Sequence, residues 1–481
     1  MYSKKHAVIL TLGCKVNQYE SEAFAAALRE KNFEVSFFDT DTGNGSGSPY
    51  DVCIINTCSV TGEADRKSRQ MVRRLIGANP GAAVYVTGCA AQASPEKFAE
   101  IPGVTAVVGN ARKNEILKLI NERFCPESDI KSYSSDPDEK SVPICGCKLD
   151  GTPFEPMSIS SFRRARAYIK IEDGCESKCA YCIIPSVRGK IRSKPRADII
   201  SEAIKLTEGG CPELVLTGIE TSAYQYGLAE LIKELETVPE LQRIRLGSLD
   251  PSFMRREFVD AYAKCSKAMP HFHLSMQSGC DSTLASMRRK YNTQSIHEKL
   301  SYIRSVIPDV RFSADVICGF PGETDDDFAQ TLNFFKEERF LHLHVFPYSV
   351  RPGTEAASMP NHVPHQTAKM RCAELSNAQK VITAELLSET ISSETSVEVL
   401  AETASYSGSS LVITGHTPNF TETRIYADNT ILRDFGLNFD ADTALIRGKI
   451  LKAIPTDADG ECLIASIPAK QLNVKENVIS D

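Results

Sequence analysis

Three cysteines, Cys175, Cys179 and Cys182, stand at the spacing Cys-x3-Cys-x2-Cys. With 16 cysteines in 481 residues, chance would place three at one given spacing only roughly 0.02 times per chain. Three thiolates on a short loop can hold three irons of a 4Fe–4S cluster, whereas a closed cluster takes four. The missing fourth ligand leaves one iron free to bind something else, as an open position does at a catalytic zinc. A zinc site would want a fourth Cys or His close by, and the next twenty residues hold none.

A second group is spread over the first ninety residues. Cys14 ends TLGC, Cys58 ends INTC and Cys89 ends VTGC. Each lies just past an apolar run that reads as a strand. In an open parallel sheet the carboxyl ends of the strands share one crevice, where ligands bind. Cysteines far apart in sequence can therefore converge there. Again there are three, so a second cluster with an open iron is expected.

Charge forms the third signal. From Arg163 to Arg196 there are ten Lys or Arg against three Asp or Glu, inside a chain whose formal net charge is -7. Arg188, Lys190, Arg192, Lys194 and Arg196 follow the cysteine loop directly. A polyanionic substrate led toward an iron–sulfur site would need that arrangement, so Arg188, Lys190 and Arg192 are expected to contact such a polyanion. Arg66, Lys67, Arg69, Arg73 and Arg74 add a second basic stretch after Cys58.

These residues need elements to hold them. Up to about residue 125, strand candidates Ala7–Leu12, Phe33–Phe38, Asp51–Asn56, Ala83–Thr87 and Val104–Val108 alternate with helical patterns at Glu20–Glu30, Arg66–Ile76 and Lys113–Arg123. This predicts a doubly wound parallel sheet, with Gly43–Pro49 as a surface loop. Residues 126–162, polar and without periodicity, read as a linker. Residues 163–392 carry six strand candidates: Arg166–Glu172, Glu213–Thr217, Arg243–Gly247, His271–Met276, Arg311–Ile317 and Leu341–Pro347. Helical patterns follow the first five, which predicts a partial (β/α)6 TIM-like barrel. Pro364–Ser393 reads as one long helix. Short Val-, Ile- and Thr-rich strands over 393–470 predict a small β-barrel of a type that often binds RNA, and 471–481 is a tail.

In the central barrel, motifs fall just after strand ends: LTGIETSAY, RLGSLDP, MQSGCD, DVICGFPGET and FPYSVRPGT. Glu220, Arg245, Ser248 and Gln277 there are hydrogen-bonding groups suited to a polar cofactor at the barrel's C-terminal face. Composition bounds the rest. The hydrophobic share is 42%, and no apolar run reaches the roughly 20 residues of a membrane span. The start offers too short an apolar stretch for a secretory signal. A cytoplasmic, reducing location is therefore expected, in which dense cysteine points to metal or redox chemistry before disulfides.

CESKCAYC resembles the radical S-adenosylmethionine motif. Together with TLGCKVNQYES, INTCSVT, VTGCAAQ, PSVRGKIRSKP, HLSMQSGCD and DVICGFPGETDDDF, it is similar to the methylthiotransferase family over nearly the whole chain. GHTPNFTETRI resembles the RNA-binding TRAM domain. NTCSVTGEADRKSRQ and HVFPYSVRPGT resemble the branch acting on N6-threonylcarbamoyladenosine 37 of tRNA. The resemblance implies that Cys175, Cys179 and Cys182 hold a 4Fe–4S cluster that cleaves S-adenosylmethionine to a 5′-deoxyadenosyl radical. It implies that Cys14, Cys58 and Cys89 hold an auxiliary 4Fe–4S cluster carrying the sulfur to be methylated and transferred to C2 of adenosine. Tyr181, Glu220, Arg245, Ser248 and Gln277 would contact S-adenosylmethionine. Partners implied are a tRNA anticodon stem-loop, a reducing electron donor and a sulfur donor. The family's Gly-Gly-x-Glu stands here as Thr217-Gly218-Ile219-Glu220, and Cys145-Gly146-Cys147 lies outside the family pattern. Other readings are the same chemistry on isopentenyladenosine or on a ribosomal-protein aspartate, and a non-catalytic iron–sulfur protein that binds RNA or transfers electrons.

Overall fold

Runs such as Val8–Leu10 and Cys53–Ile55 have no polar face, so they make strands covered on both sides. The computed structural model describes residues 4–38, 49–59, 62–124, 142–143, 149, 151–407, 410–427 and 443–467. Its first sheet comprises β1 (His6–Thr11), β2 (Glu34–Phe37), β3 (Val52–Thr57), β4 (Ala83–Gly88), β5 (Val104–Val108) and β6 (Val142–Pro143). The spatial order is β2-β1-β3-β4-β5-β6, with every pairing parallel. Side chains alternate across it. Val8, Leu10, Cys53, Ile55, Val84 and Val86 pack on Met71, Val72, Leu75 and Phe98. Ile9, Ile54 and Tyr85 face the opposite way, into a core continuous with that of the central barrel.

The central region has the strands β7 (Ala167–Lys170), β8 (Glu172–Asp173), β9 (Arg192–Ser193), β10 (Glu213–Thr217), β11 (Arg243–Leu246), β12 (His271–Gln277), β13 (Arg311–Cys318) and β14 (His342–Pro347), of which β8 and β9 pair only with each other and the rest build its barrel. Two parallel three-stranded sheets, β7-β10-β11 and β12-β13-β14, form its wall. Isolated bridges Ile244 to Ala268 and Leu249 to Leu274 join them at the middle seam. Helices Arg196–Glu208, Leu228–Glu236, Arg256–Ala263, Thr293–Val306 and Asp325–Glu338 follow the first five wall strands. The last two start with reciprocal caps, Asn292 with Ser295 and Thr324 with Asp327, which fix where each helix leaves its loop.

Helix His365–Ser392 leads to β15 (Val397–Ser407), β16 (Ser410–His416), β17 (Glu422–Ala427), β18 (Ile450–Asp459) and β19 (Cys462–Ser466), a closed barrel in the order β15-β16-β17-β19-β18. Val399, Leu411, Ile413, Ile425, Leu451 and Ala465 fill it. A helical turn at Thr443–Ile446 precedes β18.

The expected linker also differs. Val142–Pro143 adds a sixth strand to the first sheet. Met157 and Ile159 are buried in the shared core, with the Tyr19 hydroxyl donating to the Met157 carbonyl (2.6 Å). Apolar residues at alternate positions, Pro156 apart, make this stretch a packed seam. Cys145, Cys147, most of Gly43–Pro49 and the 471–481 tail lie outside the described residues.

Candidate active site

Because β1, β3 and β4 are neighbours, the turns after them lie side by side and bring Cys14, Cys58 and Cys89 to one edge. The backbone requires glycine before two of them. Gly13 has φ +106°, and a Cβ there would sit 2.8 Å from the Cys58 Cβ. Gly88 has φ +100°, and a Cβ would sit 2.2 Å from the Thr57 carbonyl oxygen. Only a residue without Cβ permits both the conformation and the approach. Asn17 ties the turns together, its Nδ2 donating to the carbonyls of Leu12 (2.8 Å) and Thr57 (2.9 Å). Cys58 and Cys89 are buried, and the Cys14 side is open.

The second triad sits on a loop with a closed neck. β8 pairs antiparallel with β9 across it, Glu172 opposite Ser193 and Asp173 opposite Arg192, and the Cys175 N–H donates to the Gly189 carbonyl (3.0 Å). Inside the loop the Cys182 N–H donates to the Cys179 carbonyl (3.1 Å), and Ala180 is anchored to Met287 and Ala356. Burial pushes the Cys182 thiol up to about 12 and raises Cys175 as well. Among the described residues no three Cys, His, Asp or Glu crowd one point as they would around a single metal ion. A cluster, with its thiolates on separate irons, needs them farther apart.

One guanidinium addresses each triad. Arg289 donates to Cys179 Sγ (3.1 Å) and is held by Asp250 (2.8 Å). Arg188 donates to Cys89 Sγ (3.2 Å). Sequence reasoning missed Arg289, which stands in a run, MRRKY, that looks like ordinary surface.

Arg188 corrects an expectation. It is fully buried, donating also to Glu20 (2.8 Å), Asp173 (3.3 Å) and Asn17 (2.9 Å), so it is not placed to meet RNA. Arg192 is likewise buried against Asp173, the Arg188 carbonyl and Thr152. Lys194 pairs with Glu202 inside the protein. Lys190 is exposed, as are Arg66, Lys67, Arg73 and Arg74 on helix Gly62–Ala78. The physical reason is the carboxylates: Glu20 and Asp173 draw the cations inward. Lys113, Lys170, Arg188 and Arg192 converge on these two acids. Burial alone would raise both carboxyls, yet the surrounding cations hold both below the usual range, Glu20 well below. Four cations against two carboxylates leave a buried positive surplus beside Cys89. Thiolate ligands carrying net negative charge would balance it, so these residues fit a cluster.

The expected cofactor contacts divide. Glu220 follows β10, its N–H donating to the Glu172 carboxyl (2.8 Å) and its own carboxylate accepting from Ser222. Burial raises Glu172 well above the carboxylate range. Gly218 lets that carboxyl approach, since a Cβ there would lie 2.7 Å from Glu172 Oε2. Gln277 ends β12 with φ +66° beside a register shift, a strained position of the kind found at functional sites. Tyr181 lies within the cysteine loop beside Arg289. Ser248 lines a cavity of about 480 Å³ that runs from Cys14 down the inner face of the barrel. Arg245 also touches that cavity, but it is buried mid-strand and bonded to Glu213 (3.0 Å) and to the carbonyls of Thr417 and Pro418. It fastens the C-terminal barrel to the central one.

That joint also involves GHTPNFTETRI. Its Thr417–Thr421 loop plugs the central barrel, with Phe420 stacked on His271 (4.8 Å) and Asn419 donating to the Asp309 carbonyl (3.3 Å). Cys53, Cys211, Cys265, Cys280, Cys318 and Cys462 are buried in packing positions and Cys372 is half-buried. Among the described residues no helix is long and apolar enough to cross a membrane.

Comparison with known proteins agrees with this layout. The Radical SAM superfamily model matches residues 169–335, and the model of the uncharacterized protein family UPF0004 matches residues 6–109. A threonylcarbamoyladenosine tRNA methylthiotransferase of Bacillus subtilis is 38% identical over 360 residues, 73% of this chain and 75% of the relative. One from Rickettsia prowazekii is 38% identical, covering 76% and 80%. A tRNA-2-methylthio-N(6)-dimethylallyladenosine synthase of Syntrophus aciditrophicus is 32% identical, covering 75% and 76%. Among solved structures, the radical S-adenosylmethionine methyltransferase TsrM of Kitasatospora setae matches with TM-score 0.55 and 16% identity over 74% of this chain and 75% of its own, a likeness of fold.

Proposed function

This chain belongs to the radical SAM tRNA methylthiotransferase family, and within it we propose that it methylthiolates C2 of N6-threonylcarbamoyladenosine 37 in tRNA. Two 4Fe–4S clusters would serve, one at Cys175, Cys179 and Cys182, the other at Cys14, Cys58 and Cys89. When bound, the first supplies the electron that cleaves S-adenosylmethionine to methionine and a 5′-deoxyadenosyl radical, and the second carries the sulfur. The observation that carries this reading is the pair of triads, each with three cysteines and one guanidinium aimed at a ligand sulfur.

The chain's own residues have separable tasks. Arg188 and Arg289 neutralise thiolate charge, and Tyr181, Glu220, Ser248 and Gln277 frame the barrel mouth for S-adenosylmethionine. Exposed Lys190 and the basic face of helix Gly62–Ala78 offer a path for the anticodon stem-loop. The substrate reading rests on the threonylcarbamoyladenosine enzymes among the relatives, which reach 38% identity. Supply of electrons and sulfur by separate donors completes the proposal, and the reducing cytoplasm is where such sites persist.

The test is direct. Anaerobically reconstituted protein receives S-adenosylmethionine, reductant, sulfide and stem-loops bearing either threonylcarbamoyl or dimethylallyl adenosine at position 37. Mass spectrometry should find the methylthio product on the first. Product on the dimethylallyl stem-loop alone refutes the assignment.

A further inference from the structure

The cavity beside Cys14 holds a charge that the fold leaves unbalanced. Lys15 lines it and opens helix Lys15–Glu30 immediately after the cysteine. Among the described residues its ammonium has charged neighbours at a distance but no hydrogen-bond or ion-pair partner. The site is a poor one for a bare cation, because a helix start carries the positive end of the dipole and this first turn has no acidic residue.

Much of the rest of the wall is paired, although Glu422 also lines it and its carboxylate has no hydrogen-bond or ion-pair partner among the described residues. Asp315 meets His273 (3.2 Å), and the Ser313 hydroxyl lies between His271 (2.9 Å) and His273 (2.8 Å). Burial holds His271 well below its ordinary value, and burial with the neighbouring histidines brings His344 to about 4. These two rings are therefore neutral at neutral pH. Arg245 is spent on Glu213. His271 Nδ1 is buried without a partner, a second polar atom in the wall awaiting one. At about 480 Å³ the space suits a small-molecule moiety.

Resting on the substrate reading above, we propose that Lys15 binds the carboxylate of the N6-threonylcarbamoyl group and so distinguishes it from an uncharged N6 substituent. Covalent structure supports the placement. In adenine, C2 and C6 flank the same ring nitrogen, N1. A base whose C2 faces the Cys14, Cys58 and Cys89 site must therefore bring its N6 substituent beside residues next to those cysteines. Lys15 is such a residue, and its unpaired cation lines the cavity at that edge. A dimethylallyl group would fill space there but leave the ammonium unanswered.

The experiment uses the reconstituted holoenzyme and two stem-loops, one with the threonylcarbamoyl acid at position 37 and one with its carboxamide. Wild type should bind the acid about tenfold or more tightly than the carboxamide, the scale of a charge-assisted hydrogen bond. Lys15→Gln should lose that preference by weakening only the acid, and Lys15→Arg should restore most of it. Equal loss on both stem-loops, particularly with reduced iron content, makes Lys15 a support of the cysteine loop and overturns the proposal; so does no loss on either. A wild-type enzyme that methylthiolates only the dimethylallyl stem-loop refutes the substrate reading itself. Normal wild-type turnover of the threonylcarbamoyl stem-loop with undiminished acid preference in Lys15→Gln refutes the lysine's role alone.

Discussion

Replacing Arg188 by Met removes a charge while keeping an unbranched chain, and the structure sets the consequence. Lost are the contacts to Glu20 at 2.8 Å, Asp173 at 3.3 Å, Asn17 at 2.9 Å and Cys89 Sγ at 3.2 Å. Breaking a buried ion pair from one side costs about 3–5 kcal/mol. Here the low end applies, because Lys113 and Lys170 still face Glu20, and Lys170 and Arg192 still face Asp173. About 3 kcal/mol in a unit that joins the first sheet to the central barrel corresponds to a midpoint lowered by roughly 4 °C, measurable by calorimetry on the metal-free protein. The pH dependence has a definite sign. Glu20 and Asp173 have folded values held down by the cations although burial opposes this. Their stabilisation is full above the unfolded carboxylate values near about 4 and is lost as pH falls through the folded ones. The gap between wild type and variant should be full at pH 7 and close on acidification below about 4. A midpoint within about 2 °C of wild type at pH 7, or a gap unchanged down to pH 3, would show that Arg188 does not hold this network.

Other substitutions separate the remaining roles. Cys179→Ala should abolish 5′-deoxyadenosine formation, since two thiolates hold a cluster poorly; chromatographic detection of normal amounts would remove that triad from the chemistry. Cys58→Ala should still form 5′-deoxyadenosine but give no methylthiolated nucleoside by mass spectrometry, and an unchanged product would remove the auxiliary site. Lys190→Ala should reduce the slope of log K against log salt for tRNA binding by up to about 0.9, the worth of one phosphate contact. An identical slope would move the RNA path elsewhere.

What could be read from the chain follows the range of the forces involved. The cysteine triads were legible because each signal is local: a glycine, a cysteine and the end of an apolar run, repeated after β1 and β4. Wall strands β10 and β11 were legible for the same reason. The fate of the basic run was not, because Arg or Lys beside a functional loop has the same local pattern whether it meets solvent or a buried acid. Arg188 lies 168 residues from Glu20, and Glu20 sits in a helix whose other residues give no hint of buried charge. Arg245 similarly meets Thr417 and Pro418 from 172 and 173 residues away. The two-residue strands β8 and β9 are too short to leave a periodicity, yet they close the neck of the cysteine loop.

The buried network also answers how two sites from different parts of the chain keep a fixed relation. Asp173 lies two residues before Cys175, and Arg188 six residues after Cys182. Asp173 holds Arg188 (3.3 Å), and Arg188 reaches across to Glu20 and Asn17 on the helix that starts after Cys14, and to Cys89 itself. Lys170 on β7 spans the same gap, donating to Glu20 (2.9 Å) and Asp173 (2.6 Å). The segment bracketing one triad is thus hydrogen-bonded to the segments bearing the other. A chemistry in which a radical made at one triad acts on a base poised at the other needs that relation held, because small misplacements of reacting groups cost large factors in rate. An apolar interface of equal area would bury the same surface but would not set register. Charged groups that must each find a specific partner restrict the register more, and Arg188 has such partners on both sides of the gap.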